Sequence, residues 1–339
     1  MNFRNVSIES IAWEPAPERV TSVVIEDRLH PTLSRLRLPL RPIELLTGIR
    51  ERRAWPAGTV LAQSAAAAGR LAVARAGVHP GEIGLLLNTS VSRDRLEPSI
   101  ASLVHGILGL SPRCRNFDVA NACLGFINGM ELAGQMIEGG VIDYALLVDG
   151  EDAGPVVEYT MNRLLAPDAT AQDFWGDFAT LTLGSTAVAM VLGRADQSRT
   201  THRVRGSVGL AATEHAGLCV GTNERMVTDS TRLLRAGVEL ARRTWALAEE
   251  ELPRWGDRSI DQYICHQVGR AHLSALCEAL GMNASRCFLT YPEHGNVGPA
   301  AVPLTLLLAA EAGRIKAGDH VGLMGIGSGL NVAMMSVIW

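Results

Sequence analysis

Short apolar runs alternate with longer helical patterns along most of the chain. The apolar runs predict strands over 82–87, 117–119, 144–149, 187–192, 262–266, 321–325 and 332–338. Stretches rich in Ala and Leu predict helices over 60–76, 99–108, 124–138, 231–250, 270–280 and 300–311. Because strands and helices alternate, we expect an α/β fold in which helices cover the faces of the sheets.

A second pattern indicates that the fold is duplicated. The segments that begin at Cys123 and at Asn296 each read as a loop, a helix, a turn with an acidic residue and glycine, and an apolar strand. Two such copies predict two similar halves, residues 1–195 and 196–339. The general likeness of any two strand–helix units is the alternative explanation. The aromatic residues within 153–180 indicate either a cap over an apolar tunnel or an ordinary packed insertion.

The composition narrows the class of protein. The chain has 339 residues, 47% of them hydrophobic, which is enough for a large core. Its net charge of −4, without a long block of like charge, argues against a nucleic-acid partner. It has neither an apolar run of about 18 residues nor a signal-peptide pattern at its start, so we expect a cytoplasmic protein without integral membrane association. The six cysteines form no CxxC pair, which predicts free thiols and no metal site.

Cys123 is the first candidate for chemistry. It follows the predicted strand 117–119 and comes just before the predicted helix 124–138. The positive end of a helix dipole favours a thiolate, which is the nucleophilic form of cysteine. Gly125 permits a close approach of the backbone. A buried structural cysteine is the alternative, since free cysteines are commonly buried.

Three further positions carry polar groups into predicted loops. His266 ends an apolar strand, where an imidazole can move a proton or donate a hydrogen bond to a thioester oxygen. Asn296 lies in a Gly/Asn turn ahead of Pro299, and its amide can donate to an oxyanion. Ser328 lies in the turn 325–330, whose backbone N–H groups can line an oxyanion hole. The alternatives are a hydrogen-bonded structural histidine and an ordinary turn before a helix.

Together these motifs resemble the thiolase superfamily, in its ketoacyl synthase III branch, over residues 40–339. The resemblance rests on Ala-Cys-x-Gly-Phe at Cys123, His-Gln at His266, Gly-Asn at Asn296 and Gly-x-Gly-x-Gly at 325–329. It implies a thiolase fold, with a duplicated five-layer αβαβα architecture and two mixed sheets. It also implies an acyltransferase that carries an acyl group on Cys123, assisted by His266, Asn296 and the backbone of Ser328.

Within that branch the chain looks most like the OleA-type enzymes, which join two fatty acyl-CoAs without decarboxylation. The likeness rests on the stretches 88–99, 117–123, 293–296 and 325–331, and on Val268-Gly269 where other members have Ala-Asn. It implies a homodimer in which the partner subunit's Glu97 removes the α-proton of the second acyl-CoA. The product would be a 2-alkyl-3-oxoacyl thioester, made in the first step of long-chain olefin or β-lactone biosynthesis. For Glu97, a simple interaction with a helix dipole is the alternative.

The resemblance also implies coenzyme A thioesters as substrates and no cofactor. Phosphates of CoA need basic groups at the tunnel mouth, and Arg50, Arg53 and Arg270 are the candidates, with solvated surface arginines as the alternative. Two other functions stay open at this point. One is decarboxylative condensation of an acyl-CoA with a malonyl thioester, as in ketoacyl synthase III. The other is a non-catalytic thiolase-fold partner subunit.

Overall fold

The computed structural model describes residues 1–339, which form thirteen strands and eleven α-helices. The strands are β1 (Val6–Pro15), β2 (Glu18–Thr21), β3 (Glu51–Ala54), β4 (Ile83–Asn88), β5 (Arg115–Asp118), β6 (Tyr144–Glu151), β7 (Thr186–Arg194), β8 (Arg203–Ala211), β9 (Cys219–Gly221), β10 (Met226–Thr228), β11 (Gln262–Cys265), β12 (His320–Gly327) and β13 (Asn331–Ile338). The helices are α1 (Ser22–Arg35), α2 (Pro42–Thr47), α3 (Leu61–Ala76), α4 (Ile100–Leu108), α5 (Gly125–Glu138), α6 (Gly154–Leu164), α7 (Ala171–Asp177), α8 (Ser230–Glu251), α9 (Arg270–Leu280), α10 (Tyr291–His294) and α11 (Ala301–Glu311).

Nine strands lie side by side in the order β11-β12-β13-β8-β1-β7-β6-β4-β5. In the first half, β4 pairs in parallel with β5 and β6, and β7 runs antiparallel to β6 and β1. In the second half, β11 is parallel to β12, and β13 is antiparallel to β12 and β8. The two mixed half-sheets meet where β1 lies beside β8, at the pair Ser7–Arg203. At the other end of the first half-sheet, β5 is an edge strand.

Alternating side chains bury both faces of each half-sheet. In β6, Ala145 and Leu147 join a central apolar cluster, while Leu146 and Val148 join a cluster on the opposite face. The central cluster contains α5 and α11, which lie between the half-sheets. The outer faces are covered by α3 and α4 on the first half-sheet and by α8 and α9 on the second. This confirms the predicted five-layer αβαβα arrangement.

The predicted strands and helices are all present, with ends shifted by a few residues; the strand expected at 117–119 is β5. Two central strands, β1 and β8, were not predicted from the sequence. The register of β1 shifts between Ile8 and Ser10, which breaks the alternation of its side chains. In β8, charged side chains at Arg203 and Arg205 interrupt the apolar pattern.

The predicted boundary between residues 195 and 196 falls in the loop that joins β7 to β8. One apolar cluster, however, unites α1, α2 and α6 of the first half with α8 and α9 of the second. The division into halves therefore stays a prediction. The aromatic-rich stretch forms α6 and α7, and Met161, Leu164 and Phe174 are buried in that shared cluster. None of the helices combines the length and the hydrophobicity that crossing a bilayer requires.

Candidate active site

A sharp turn, residues 119–124, joins β5 to α5 and presents Cys123; we call it the cysteine turn. Ala122 has a φ of 46°, in the left-handed region. For a residue with a side chain this conformation costs about 1–2 kcal/mol, and such strain is typical of functional sites. The N–H of Leu124 donates to the Asn121 carbonyl at 3.0 Å. Because α5 begins without a side-chain cap, its first turn has N–H groups that no side chain satisfies.

The loop between β12 and β13 packs against the cysteine turn. A Cβ on Gly327 would lie 2.7 Å from the Asn121 carbonyl oxygen, so only glycine allows this approach. The Asn331 amide donates to Asn121 Oδ1 at 3.1 Å, and the Asn121 amide donates to Asn128 Oδ1 at 2.8 Å. Ser328 is half-buried in this loop. The loop therefore lies against the cysteine turn, and the role of Ser328 in an oxyanion hole stays a prediction.

His266 directly follows β11 and is 3% exposed. Its backbone N–H donates to the Met324 carbonyl at 2.7 Å, which extends the pairing of β11 with β12. The next residue, Gln267, is buried and bonds to the segment that precedes α10. Its Nε2 donates to the Phe288 carbonyl at 2.7 Å, and its Oε1 accepts from the Thr290 N–H at 2.9 Å. The His-Gln pair thus fixes the histidine against the segment that leads into α10.

Asn296 lies just after α10 and is held through its backbone. Its N–H donates to the Thr182 carbonyl and its carbonyl accepts from the Gly184 N–H, both at 2.9 Å. Gly295 has a φ of 68°, and a Cβ there would lie 2.6 Å from the Thr182 oxygen. The side-chain Oδ1 of Asn296 accepts from the Gly298 N–H at 3.0 Å. With its oxygen engaged, the amide NH2 is left as a donor for a ligand.

Glu151, at the end of β6, lies between these segments. A Cβ on Gly298 would lie 3.5 Å from the Glu151 carboxyl carbon. Glu151 is also close enough to Cys123 for its charge to raise the pKa of the thiol. The backbone carbonyl of Gly298 is close enough to the His266 imidazole to favour its protonated form, which raises the pKa of His266. The structure therefore brings Cys123, His266 and the turn of Asn296 into one region, next to the loop of Ser328.

Burial leaves the thiol and the imidazole uncharged at neutral pH. Burial and the nearby Glu151 carboxylate raise the pKa of Cys123 to about 12. Burial and the neighbouring His272 lower the pKa of His266 to about 3. The helix dipole had led us to expect a thiolate. Burial and the carboxylate act against that expectation, and the state of the thiol in the resting protein stays a prediction.

An acidic pair behind Cys123 was not predicted from the sequence. Asp149 is fully buried, and Glu151 is 6% exposed. The Thr89 hydroxyl donates to Asp149 Oδ2 at 2.5 Å. Burial raises the pKa of Glu151 to about 7 and holds the pKa of Asp149 well above its ordinary range, so the pair retains a proton near neutral pH. The available signal was three carboxylates, Asp149, Glu151 and Asp152, at the end of an otherwise apolar strand.

A small, mostly apolar pocket of about 20 Å³ lies beside His266. Its walls come from α8, α9, β12 and β13 and include Ala241, Leu276, Ile326 and Met334. His272, in the first turn of α9, also lines this pocket, and burial lowers its pKa to about 4. The neutral imidazole of His272 thus lies among the apolar side chains of this pocket.

Glu97 lies apart from these residues, on the exposed segment between β4 and α4. It makes no hydrogen bond and no ion pair within the chain. The start of α4 is satisfied by other groups: Ser99 Oγ accepts from the Ser102 N–H at 3.2 Å, and Asp118 Oδ1 accepts from the Ala101 N–H at 2.9 Å. The helix therefore does not need Glu97 as a cap, which weakens the alternative interpretation of this glutamate.

The three candidate arginines occupy different environments. Arg50 and Arg270 are exposed, and Arg53 is half-buried on β3. Arg50 pairs with Glu293 at 3.0 Å. The guanidinium of Arg270 would lie 3.4 Å from a Cβ on Gly48, so it reaches the segment that carries Arg50. Arg50 and Arg270 thus flank one stretch of surface, and phosphate binding by any of the three stays a prediction.

Comparisons with known proteins agree with this geometry. The family model described as 3-oxoacyl-[acyl-carrier-protein] synthase III matches residues 117–208, and its C-terminal counterpart matches residues 252–339. The chain is 46% identical to an acyl-CoA:acyl-CoA alkyltransferase of Xanthomonas campestris pv. campestris, with 100% of both chains covered. It is 38% identical to a Shewanella oneidensis protein of the same name, also over 100% of both chains. A β-ketoacyl synthase III of Rhizorhabdus wittichii is 31% identical, covering 84% of this chain and 85% of that protein.

Solved structures give the same result. A cysteine-to-serine variant of Xanthomonas campestris OleA, with bound lauric acid and lauroyl-CoA, superposes with a TM-score of 0.97 at 45% identity and covers 99% of this chain and 100% of that one. The cerulenin-bound OleA of the same organism has a TM-score of 0.98 at 46% identity and covers 100% of this chain and 98% of that one. The fold is therefore the thiolase fold, and the chain belongs to the OleA family within the ketoacyl synthase III-like branch of the thiolase superfamily.

Proposed function

We propose that this enzyme joins two fatty acyl-CoAs in a non-decarboxylative Claisen condensation, through an acyl thioester on Cys123. The observation that carries the proposal is the full-length identity of 46% and 38% to two acyl-CoA:acyl-CoA alkyltransferases. The Rhizorhabdus β-ketoacyl synthase III covers 84% of the chain at 31% identity. The meeting of a cysteine, an imidazole, an amide and a tight loop supports acyl-transfer chemistry at this site.

In the first half-reaction, Cys123 Sγ attacks the thioester carbonyl of one acyl-CoA. The bond from Cys123 to the acyl carbon forms, the bond from that carbon to the CoA sulfur breaks, and the cysteine proton leaves with CoA as its thiol. Because both side chains are uncharged at rest, the neutral His266 is the group that relays this proton. The backbone N–H groups of Cys123 and Ser328 hold the oxyanion, and one such donor lowers the barrier by about 3–4 kcal/mol.

In the second half-reaction, another acyl-CoA binds with its carbonyl oxygen held by His266 and Asn296. The partner subunit's Glu97 removes the α-proton, since no carbon dioxide is lost to generate the carbanion. The enolate carbon attacks the acyl carbon on Cys123, and the bond from that carbon to Sγ breaks. The cysteine sulfur recovers a proton, and the product is a 2-alkyl-3-oxoacyl-CoA.

A homodimer supplies the base in this scheme. Glu97 has no partner in its own chain and lies on a segment with two highly exposed apolar side chains, Val91 (52%) and Leu96 (90%). The neighbouring edge strand β5 exposes 38% of Phe117. An unpaired strand edge beside exposed apolar groups is a surface that a second copy can cover. Two-fold pairing along this edge would carry each Glu97 toward the other subunit.

The substrate is accommodated by the surroundings of His266. The apolar pocket between α8, α9, β12 and β13 has the character that an acyl chain needs. Arg50 and Arg270, with Arg53, are the groups proposed to bind the phosphates of CoA, because guanidinium groups form paired hydrogen bonds with phosphate. The scheme uses no metal and no cofactor.

Incubation of the purified protein with one acyl-CoA, in the absence of any malonyl thioester, tests the proposal. We expect release of CoA, an acyl adduct on Cys123 by intact-protein mass spectrometry, and a branched condensed product with twice the number of acyl carbons. An absolute requirement for malonyl thioester would instead establish the decarboxylative reaction. No adduct at all would establish a non-catalytic partner subunit.

A further inference from the structure

A series of hydrogen bonds joins the segment after β4 to the end of β6. Residues 89–92 leave the strand and run alongside 149–152, and each of the four forms a hydrogen bond to that stretch. The bonds are Thr89 Oγ1 to Asp149 Oδ2 (2.5 Å), Gly150 N–H to Ser90 Oγ (2.8 Å), Val91 N–H to Glu151 Oε1 (2.6 Å), Ser92 Oγ to Glu151 Oε2 (2.6 Å) and Asp152 N–H to Ser92 Oγ (3.0 Å).

Glu151 provides the last fixed point before Glu97. Its carboxylate accepts three donors: the N–H of Val91 at 2.6 Å, the N–H of Ser92 at 3.2 Å and the hydroxyl of Ser92 at 2.6 Å. Beyond Ser92, residues 93–98 make no hydrogen bond to the rest of the chain, and Leu96 is 90% exposed. We call residues 93–98 the arm. The arm is therefore held at both ends, by Glu151 through Ser92 and by Asp118 through the start of α4.

The same carboxylate borders the site of its own chain. Its charge raises the pKa of Cys123, and Gly298 lies against it on the side of the Asn296 turn. A glutamate that only closed a loop could lie anywhere on the surface. Glu151 is instead 6% exposed, and it lies where residues 89–92, from which the arm extends, meet the cysteine turn.

We infer that Glu151 is a positioning residue for the condensation: its hydrogen bonds to Val91 and Ser92 aim the arm that carries Glu97. The inference rests on the proposed function, because Glu97 is a base only in that reaction. Since the arm serves the partner subunit while Glu151 borders its own Cys123, the side chain joins the two sites of a dimer.

The chemistry of the contact requires a carboxylate. Two oxygens receive three donors, and each hydrogen bond to a charged acceptor contributes about 1.5–3 kcal/mol. In Glu151→Gln one oxygen becomes an NH2 group, which must face an N–H or a hydroxyl of residues 91–92. Glutamine has nearly the same volume as glutamate. The substitution therefore weakens the hydrogen bonds to residues 91–92 without opening a cavity.

Two measurements on the full-length protein separate the arm from the nucleophile. The first is the rate of acyl-adduct formation on Cys123, and the second is the rate of condensed product from the same acyl-CoA. For Glu151→Gln we expect the product rate to fall at least tenfold, whereas the adduct rate should not fall, because removal of the Glu151 charge lowers the pKa of Cys123. The matched control is Glu26→Gln, which removes another buried carboxylate that accepts a backbone N–H, from Ile43 at 2.7 Å; both of its rates should match wild type.

A double variant shows whether Glu151 acts through Glu97. If it does, Glu97→Ala combined with Glu151→Gln is no slower in condensation than Glu97→Ala alone. A further multiplicative loss in the double variant, or an equal loss of adduct and product in Glu151→Gln, would overturn the inference. Should Glu151→Gln fail to fold, Ser92→Ala removes one of the same donors and is expected to lower the product rate alone, by a smaller factor.

Amide hydrogen exchange tests the inference without any reaction. We expect faster exchange over residues 91–98 in Glu151→Gln, and unchanged exchange there in Glu26→Gln. Unchanged exchange in Glu151→Gln defeats the positioning role, whatever the enzyme makes. If wild type yields no condensed product while the exchange difference is present, the proposed reaction fails and the anchoring of the arm by Glu151 stands.

Discussion

At the scale of single residues, opposing electrostatic effects decide the state of the nucleophile. A helix N-terminus stabilises a nearby negative charge by about 0.3–1 kcal/mol. The rise in the pKa of Cys123 from 9.0 to about 12 corresponds to about 4 kcal/mol in the other direction. Burial and the Glu151 charge therefore have a larger effect than the helix dipole, and the thiol stays protonated until a thioester binds. His266 is neutral for the same reason, so it can donate an N–H without first losing a proton.

The reactivity of Cys123 should report this state directly. Its alkylation by iodoacetamide requires the thiolate, so the rate should rise about tenfold per pH unit from pH 7 to pH 10. Measurement of the modified peptide over this range, with Cys123→Ala as the blank, gives the profile. A plateau near pH 8 would contradict the raised pKa.

Removal of the sulfur should abolish acyl transfer. In Cys123→Ala we expect no acyl adduct and no condensed product, because no other group on this turn can carry the acyl chain. Intact mass after incubation with acyl-CoA is the measurement. Cys114→Ala, which alters a buried cysteine under α4, is the control and should acylate like wild type. Full condensing activity in Cys123→Ala would refute the covalent scheme.

At the scale of elements, two loops form the site by approaching more closely than side chains would allow. The cysteine turn depends on a left-handed Ala122, and the last loop depends on Gly327. The Asn121 amide bonds both to the last loop and to α5. The hydrogen bonds from Asn331 through Asn121 to Asn128 make the two loops one unit.

A methyl group at Gly327 should force that unit apart. Its Cβ would lie 2.7 Å from the Asn121 carbonyl oxygen, so Gly327→Ala should cost about 1–3 kcal/mol of stability. We also expect the rate of Cys123 acylation to fall at least tenfold. Chemical denaturation and adduct kinetics give the two numbers. Gly106→Ala, where a Cβ meets nothing within 4 Å in α4, should be neutral or stabilising by up to about 1 kcal/mol.

The sequence predicted the elements that have a clear period and the residues that carry recognisable motifs. The helix α5 was placed correctly because its apolar spacing is regular, and α11 and the strands around β4, β6 and β12 were placed correctly because they are nearly continuous apolar runs. The strands β1 and β8 were missed, since a register shift in β1 and arginine side chains in β8 obscure the apolar pattern. Glu151 and His272 were missed because their importance depends on contacts with residues distant in the chain. The effect of burial on Cys123, which opposes the helix dipole, was missed because burial cannot be read from local spacing.

At the scale of the whole molecule, the free edge at β5 and the arm form the surface at which the proposed dimer would pair. Leu96 and Phe117 are exposed at this edge. A dimer at this edge would cover apolar area and complete each site with a base. Both consequences depend on the same surface.

A charge on the arm should therefore disrupt both the dimer and the supply of the base to each site. We expect Leu96→Arg to shift the protein from dimer to monomer in sedimentation, and to lower condensation at least tenfold while the adduct on Cys123 still forms. The control is Val141→Arg, which changes an exposed residue in the turn before β6 and should leave the assembly intact. If wild type sediments as a monomer, or Leu96→Arg condenses at the full rate, the shared-site arrangement is wrong.

The central layer has a consequence for any attempt to divide the gene. Nearly every side chain of α11 is buried, and α5 packs beside it between the two half-sheets. Helix α11 has no polar face to offer water if the opposite half is missing. Separate expression of residues 1–195 or 196–339 should therefore give insoluble material, whereas co-expression of the two pieces should restore a functional, nicked enzyme.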